Sequence, residues 1–243
     1  MKLIDKLKQL ARLDVHIDKV QRNTYDSLAS QLLHRLFPDH TILPFSPFSL
    51  NPNTILHLVN DVQVNSRASV IEFGSGVSTL ILAKFIKSNG LPTKITSIDH
   101  NPDWSAYIKK ELIKHGCDEV VNLVVAPLAQ QSNQDFEGLW YDPAILQTAL
   151  TQKTFDVVLV DGPSGGTHVE ARYLALPKII DLLEDDFIVF LDDIRRPGEQ
   201  QILAKWRRLF AKANITIELG RDARKVYATL KSEGGFSTNP MSY

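Results

Sequence analysis

The sequence predicts an α/β fold: a doubly wound, mostly parallel sheet of seven strands with an antiparallel hairpin at one edge, preceded by N-terminal helices. Three observations carry that expectation. Seven short apolar runs lie between Ala68 and Leu230, and helical patterns separate most of them, as parallel strands require, because each parallel pair needs a crossover. The first run passes straight into a glycine-bearing turn and then a helix. The last two runs are close together with no helix between them, which suits an antiparallel hairpin.

Taken in order, Leu3, Ile4, Leu7, Leu10, Ala11 and Leu13 recur at helical spacing, and Leu28, Leu32, Leu33 and Leu36 continue the pattern to Phe37 and Pro38. The stretch TILPFSPFSLNPNT reads as an irregular connection bordering a pocket, followed by a helix from Ile55 to Val62. Then come ASVIEF, a helix from Ser78 to Lys87, KITSID, a helix from Trp104 to His115, VVNLVV, a loop holding Trp140 and Tyr141, and FDVVLV. After a glycine-bearing loop, in which His168, Arg172 and Tyr173 open a helix running through Leu174 to Leu183, follow FIVFLD, a helix from Glu199 to Ala211, ITIEL and KVYATL. The expected division is a helical extension over 1–43 and a catalytic domain over 44–243. Ligands of such sheets bind at the carboxyl ends of the strands, so the turns after the apolar runs hold the chemistry.

Composition narrows the function classes. A formal net charge of -1 and the lack of a basic stripe with interleaved aromatics argue against a nucleic-acid partner. Cys117 is the sole cysteine, so no internal disulfide forms, and a cytoplasmic location is expected. No stretch has the apolar length of a membrane span or the core of a signal peptide. Lys2, Lys6, Lys8 and Arg12 give the first helix a charged face that suits either an anionic membrane surface or, as is more common, solvent, with the helix packed on the protein or in a homodimer contact.

The turn Glu72-Phe73-Gly74-Ser75-Gly76 lets backbone approach a ligand where a side chain would collide. A dinucleotide site uses a third glycine three residues later to hold a pyrophosphate, and here Thr79 stands in that place. A ligand without phosphate fits better. S-adenosylmethionine is such a ligand, with Glu72 as a neighbour of its cationic groups. The next strand ends in Asp99, placed to accept from two ribose hydroxyls. A nicotinamide-dependent oxidoreductase and a non-catalytic cofactor-binding partner are the competing readings of the same sheet.

Glu72 through Thr79, Ser97 through Trp104, Ala126-Pro127-Leu128, Trp140-Tyr141-Asp142, Val160 through Pro163, and Leu191-Asp192-Asp193 through Glu199 follow one another in a set order. That order resembles the signature of a group of bacterial class I, Rossmann-like methyltransferases, over about Pro44 to Lys231. The resemblance implies that Gly74, Ser75, Gly76 and Ser78 lie by the methionine part of S-adenosyl-L-methionine. It also implies that Asp99, with His100 beside it, holds the ribose, that Ala126 and Pro127 border adenine, and that Asp161 completes the cofactor site. Methylation of a hydroxyl on a small molecule or glycan follows, with surface-polysaccharide biosynthesis as the pathway such relatives suggest.

Asp161 closes one strand, and Asp192 and Asp193 close the next, so the parallel sheet brings their carboxylates toward one crevice. They serve either as strand-ending caps or as bases and ligands for a hydroxyl that must lose its proton. Cation-dependent O-methyltransferases are similar here, with an aspartate after the fourth strand and an Asp-Asn pair after the fifth; the resemblance implies Asp161, Asp192 and Asp193 as ligands of Mg2+ or another divalent cation. His168 is a second candidate base beside Asp161 and Asp192. Arg172, Arg195 and Arg196 suit recognition of an acceptor carboxylate or phosphate, and Trp140 and Tyr141 suit a pocket wall.

Overall fold

A computed structural model describes residues 17, 20, 21, 23–38, 40–221 and 226–240. The first predicted helix, with its charged face and any dimer contact, lies outside the described residues. Helix α1 covers 23–34 and buries Ala29 and Leu33, while Leu28 and Leu32 of the expected apolar face are exposed.

Strands β1 (Ser69–Phe73), β2 (Lys94–Asp99), β3 (Val121–Val125), β6 (Phe155–Val160), β7 (Leu183–Leu191), β8 (Ile217–Arg221) and β9 (Ala228–Ser232) form one sheet. Its order is β3-β2-β1-β6-β7-β9-β8. The first five are parallel, and β9 runs antiparallel to both β7 and β8, so the edge hairpin is as expected. The chain starts at β1, winds outward to β3 and returns to β6 on the other side of β1. The strand order therefore reverses between β1 and β6, the switch point where such sheets open a crevice.

Helices cover both faces, and the alternation of side chains along each strand explains why every strand is apolar on both sides. Ile71, Phe73, Val158, Val160, Val189 and Leu191 point into one cluster with α5 (Pro143–Leu150), α6 (Ala175–Ile179) and α7 (Pro197–Lys212). Val70, Val157, Leu159, Ile188 and Phe190 point into the other, with α2 (Pro52–Val64), α3 (Val77–Ser88) and α4 (Pro102–Lys114). Leu33, Phe37 and Leu43 join this second cluster.

Helices α2, α4 and α7 start two to three residues earlier than the apolar periodicity indicated, and α3 one residue earlier. Proline fills the first position of α2, α4, α5 and α7, where its missing N–H costs nothing. Asn51, Asn101 and Asp142 cap three of them by accepting main-chain N–H groups.

Two expectations need correction. The predicted loop between VVNLVV and FDVVLV instead holds a separate antiparallel pair, β4 (Leu128–Ser132) and β5 (Glu137–Tyr141), followed by α5. The helix expected through Leu174 to Leu183 is only the short α6 and a single 3-10 turn over Ile180–Leu182, and His168, Arg172 and Tyr173 lie in turns before it. Strand β7 starts at Leu183, four residues before the apolar run, because the exposed Glu184, Asp185 and Asp186 belong to its solvent end.

Candidate functional site

Four strand ends of the sheet and one connection enclose a cavity of about 750 Å³ above the switch point. The turn after β1, the residues after β2, β6 and β7, and the connection Ser46–Leu50 line it, as the sequence led one to expect of that connection.

The turn after β1 is shaped by close backbone contact. Gly74 has φ +101, and its N–H donates to the Ile98 carbonyl at 2.8 Å. A Cβ on Gly74 would lie 2.9 Å from the Gly162 nitrogen, so glycine is required on both conformational and steric grounds. Gly76 is different: its φ of -172 is ordinary extended backbone, and it caps α3 with its N–H donating to Thr79 Oγ1 at 2.9 Å.

Glu72 does not line the cavity, which corrects its expected place beside a cationic ligand. Alternation turns it away from Ile71 and Phe73, and it is 2% exposed. Its carboxylate accepts from Ser78 Oγ at 2.5 Å, Thr79 Oγ1 at 2.5 Å and Ser97 Oγ at 2.6 Å. Burial raises its pKa from the ordinary 4.5 to about 7, with those hydroxyls offsetting part of the rise. Glu72 thus fastens the start of α3 and the middle of β2 beneath the turn.

Asp99 closes β2 at the cavity wall. Oδ2 accepts from the Ser75 N–H at 3.0 Å and Oδ1 from the Asn101 N–H at 2.8 Å, which fixes the carboxylate plane. Each oxygen retains lone-pair capacity toward the cavity. Burial raises the Asp99 pKa, against the Asn101 N–H and the charge of the adjacent His100. His100 also lines the cavity, with Nδ1 3.6 Å from Asp99 Oδ1. Trp104, which the sequence reading did not place at the site, lines it too and donates from Nε1 to the Ser75 carbonyl at 2.7 Å. The signal available was an aromatic residue in the first turn of a helix at a strand's carboxyl end.

At the other end, ligand atoms of Asp161, Asp192 and Asp193 lie within 4.8 Å of one another. The sequence-predicted convergence is therefore present. Between them sits Arg172, buried, with Nη2 2.9 Å from Asp161 Oδ1 and 3.1 Å from Asp193 Oδ2. Arg172 lines the cavity as well, with its guanidinium engaged by the chain's own carboxylates. Burial raises the Asp161 pKa to about 6, with Arg172 pulling it down and Asp193 pushing it up. The Asp192 pKa rises well above its ordinary value, first through burial and then through Asp161 and Asp193. Its Oδ1 is buried without a hydrogen-bond partner among the described residues.

The remaining candidates divide. Tyr141 is fully buried at the end of β5, not in a loop, yet it lines the cavity, and its hydroxyl has no partner among the described residues. Burial and then the Asp99 carboxylate keep that hydroxyl protonated, hence a donor. Trp140 faces the core against Phe73 at 5.6 Å between ring centroids and does not line the cavity. Ala126 and Pro127 are outside the lining as well. Arg195 is exposed and away from the lining, whereas Arg196 lines it and pairs with Asp193 Oδ2 at 2.8 Å. His168 packs its ring on Phe136 at 5.4 Å, accepts the Glu170 N–H at Nδ1, and does not line the cavity. Among the described residues no helix is long and apolar enough to cross a membrane.

A family model described as a methyltransferase domain matches residues 71–194, from the glycine turn to just past the acidic pair. No curated protein matches the chain. Among solved structures, a methyltransferase of Podospora anserina bound to SAH is 18% identical, with 87% of this chain and 96% of that chain covered and a TM-score of 0.55. An O-methyltransferase of Bacillus cereus in complex with SAH is 13% identical over 86% of this chain and 91% of the other, with a TM-score of 0.52. The O-methyltransferase TomG of Streptomyces achromogenes, involved in tomaymycin synthesis and solved with SAM, is 16% identical over 86% and 89%, with a TM-score of 0.51. These likenesses establish a shared fold.

Proposed function

Because the chain belongs to the methyltransferase-domain family, we propose that it transfers the methyl group of S-adenosyl-L-methionine to a hydroxyl of a small molecule or glycan. The observation that carries this reading is the Asp99 carboxylate held at a cavity wall beside a backbone-only approach at Gly74. Asp99 would hold the ribose hydroxyls of the donor and the turn after β1 its methionine part, with Asp161 and Asp192 lining the acceptor side of the same cavity. Solved structures of the same fold in complex with SAM or SAH support this choice of donor.

In the reaction the acceptor oxygen attacks the methyl carbon as the carbon–sulfur bond breaks, leaving S-adenosylhomocysteine. The cofactor supplies the activated carbon, and the protein supplies alignment and a proton acceptor. Asp192 is the base we assign, because its Oδ1 has no partner among the described residues and its raised pKa makes the ionised form a stronger base. Asp161 and Tyr141 line the same space and orient the acceptor.

Phe48, 84% exposed on the connection that rims the cavity, offers an apolar face to the ring of such an acceptor. We place the catalytic unit at 44–243, with 1–43 as an extension whose described part shares its core. The cytoplasm, where Cys117 stays reduced, and surface-polysaccharide synthesis are the proposed setting. The test is transfer of a labelled methyl group across a panel of hydroxylated small molecules and sugars. Label on at least one acceptor, abolished by Asp192→Asn, is expected; donor binding with no transfer to any acceptor would favour the non-catalytic alternative.

A further inference from the structure

The trio Asp161, Asp192 and Asp193 has the composition of a site for a hard divalent cation, yet one oxygen each of Asp161 and Asp193 is already paired with a guanidinium. Arg172 Nη2 lies 2.9 Å from Asp161 and 3.1 Å from Asp193, at the distances of charge-assisted hydrogen bonds. Asp193 Oδ2 has a second guanidinium partner in Arg196 Nη1 at 2.8 Å.

Arg172 is not free to swing aside. It is 3% exposed, its Nη1 donates to the Asp192 carbonyl at 3.3 Å, and the buried Glu199 carboxylate stands 3.7 Å from that nitrogen. An ion entering the trio would compete for the Asp161 and Asp193 oxygens that these N–H groups hold, and it would place two positive charges against a buried guanidinium whose other carboxylate neighbour, Glu199, stands at 3.7 Å. The second aspartate also finds its reason here: an amide at position 193 could not neutralise Arg172 and Arg196 together.

We propose that Arg172 occupies, within the chain itself, the place a divalent cation would take among Asp161, Asp192 and Asp193, so that the site binds no metal and methyl transfer proceeds without one. Arg172 is then a positioning residue: it holds the Asp161 and Asp193 carboxylates in one arrangement and leaves Asp192 Oδ1 for the acceptor. The second half of the proposal rests on the methyl-transfer reading, while the first half does not.

The experiment therefore reads metal binding alone, with no donor or acceptor present. Mn2+ is titrated into the full chain and followed by electron paramagnetic resonance, for the wild type, Arg172→Met and the double variant Arg172→Met/Asp193→Asn. The expected result is no saturable site in the wild type, a single saturable site in Arg172→Met, and loss of that site in the double variant. If removing the buried charge weakens the fold of Arg172→Met, Mn2+ is expected to raise its Tm while leaving the wild-type Tm unchanged. Saturable Mn2+ binding by the wild type that Asp193→Asn abolishes would overturn the proposal. So would a folded Arg172→Met that binds no Mn2+, since Arg172 would then not be what closes the trio. Neither result depends on whether the chain binds S-adenosylmethionine.

Discussion

Ser97 on β2 donates from Oγ to Glu72 Oε2 on β1 at 2.6 Å, a buried bond that fastens two central strands directly beneath the glycine turn. Burial raises the Glu72 pKa from 4.5 to about 7, so between these values the folded state keeps a proton that the unfolded chain has released. The sign follows: this stability is present below the unfolded value and is lost as pH rises toward the folded one. Glu72→Gln cannot lose a proton, so its stability relative to the wild type should improve by up to ~3 kcal/mol as pH goes from about 4.5 to about 8. Urea unfolding of both proteins at the two pH values checks this, and a constant difference would contradict it.

Gly74 and Gly76 should answer differently to alanine. Gly74→Ala meets a left-handed φ of +101 and a Cβ placed 2.9 Å from the Gly162 nitrogen, whereas the nearest atom to a Cβ on Gly76 is Ser78 Oγ at 3.9 Å. We expect a loss of roughly 1–3 kcal/mol for the first and under about 1 for the second. Denaturant midpoints decide; equal losses would mean that the contact with Gly162 is not what demands glycine.

Methyl transfer should rise with pH over a range above that of ordinary carboxylates, since burial raises Asp161 to about 6 and also raises Asp192 well above its ordinary value. The apparent values belong to the cluster, whose members titrate together. Arg172 lowers both, so Arg172→Met should move the rising limb to higher pH. A pH–rate profile on each protein tests the assignment, and a wild-type rate still flat down to about pH 4.5 would remove the carboxylates from the proton transfer.

His168→Ala should leave kcat within about threefold, because the ring packs on Phe136 outside the cavity, whereas removal of a general base costs about 10²–10⁴-fold. A loss in that larger range would show that the loop carrying His168 closes over the acceptor.

Much of the fold was legible because local and global signals agree. Val157, Val158, Leu159 and Val160 alternate between two cores, and such a run in a chain with crossover helices reads as a doubly covered parallel strand. The pair β4 and β5 escaped notice because LAQQS and EGLWY are half-exposed and carry little apolar alternation. The prolines at positions 52, 102, 143 and 197 held the true helix starts in plain view. At the site, Asp99, Asp161, Asp192 and Asp193 could be placed from strand ends alone. The direction of Glu72, the burial of Trp140 and the hold of Arg172 on the acidic trio depend on packing between segments far apart in sequence. No spacing rule carries that information.

The most direct test is calorimetric titration of the wild type and Asp99→Ala with S-adenosylmethionine. Two hydroxyl bonds to a carboxylate are at stake, each worth about 1.5–3 kcal/mol, so the variant should bind at least on the order of 100-fold more weakly while keeping the wild-type fold. A wild type that binds no S-adenosylmethionine, or a folded Asp99→Ala that binds it as tightly as the wild type, would contradict the account.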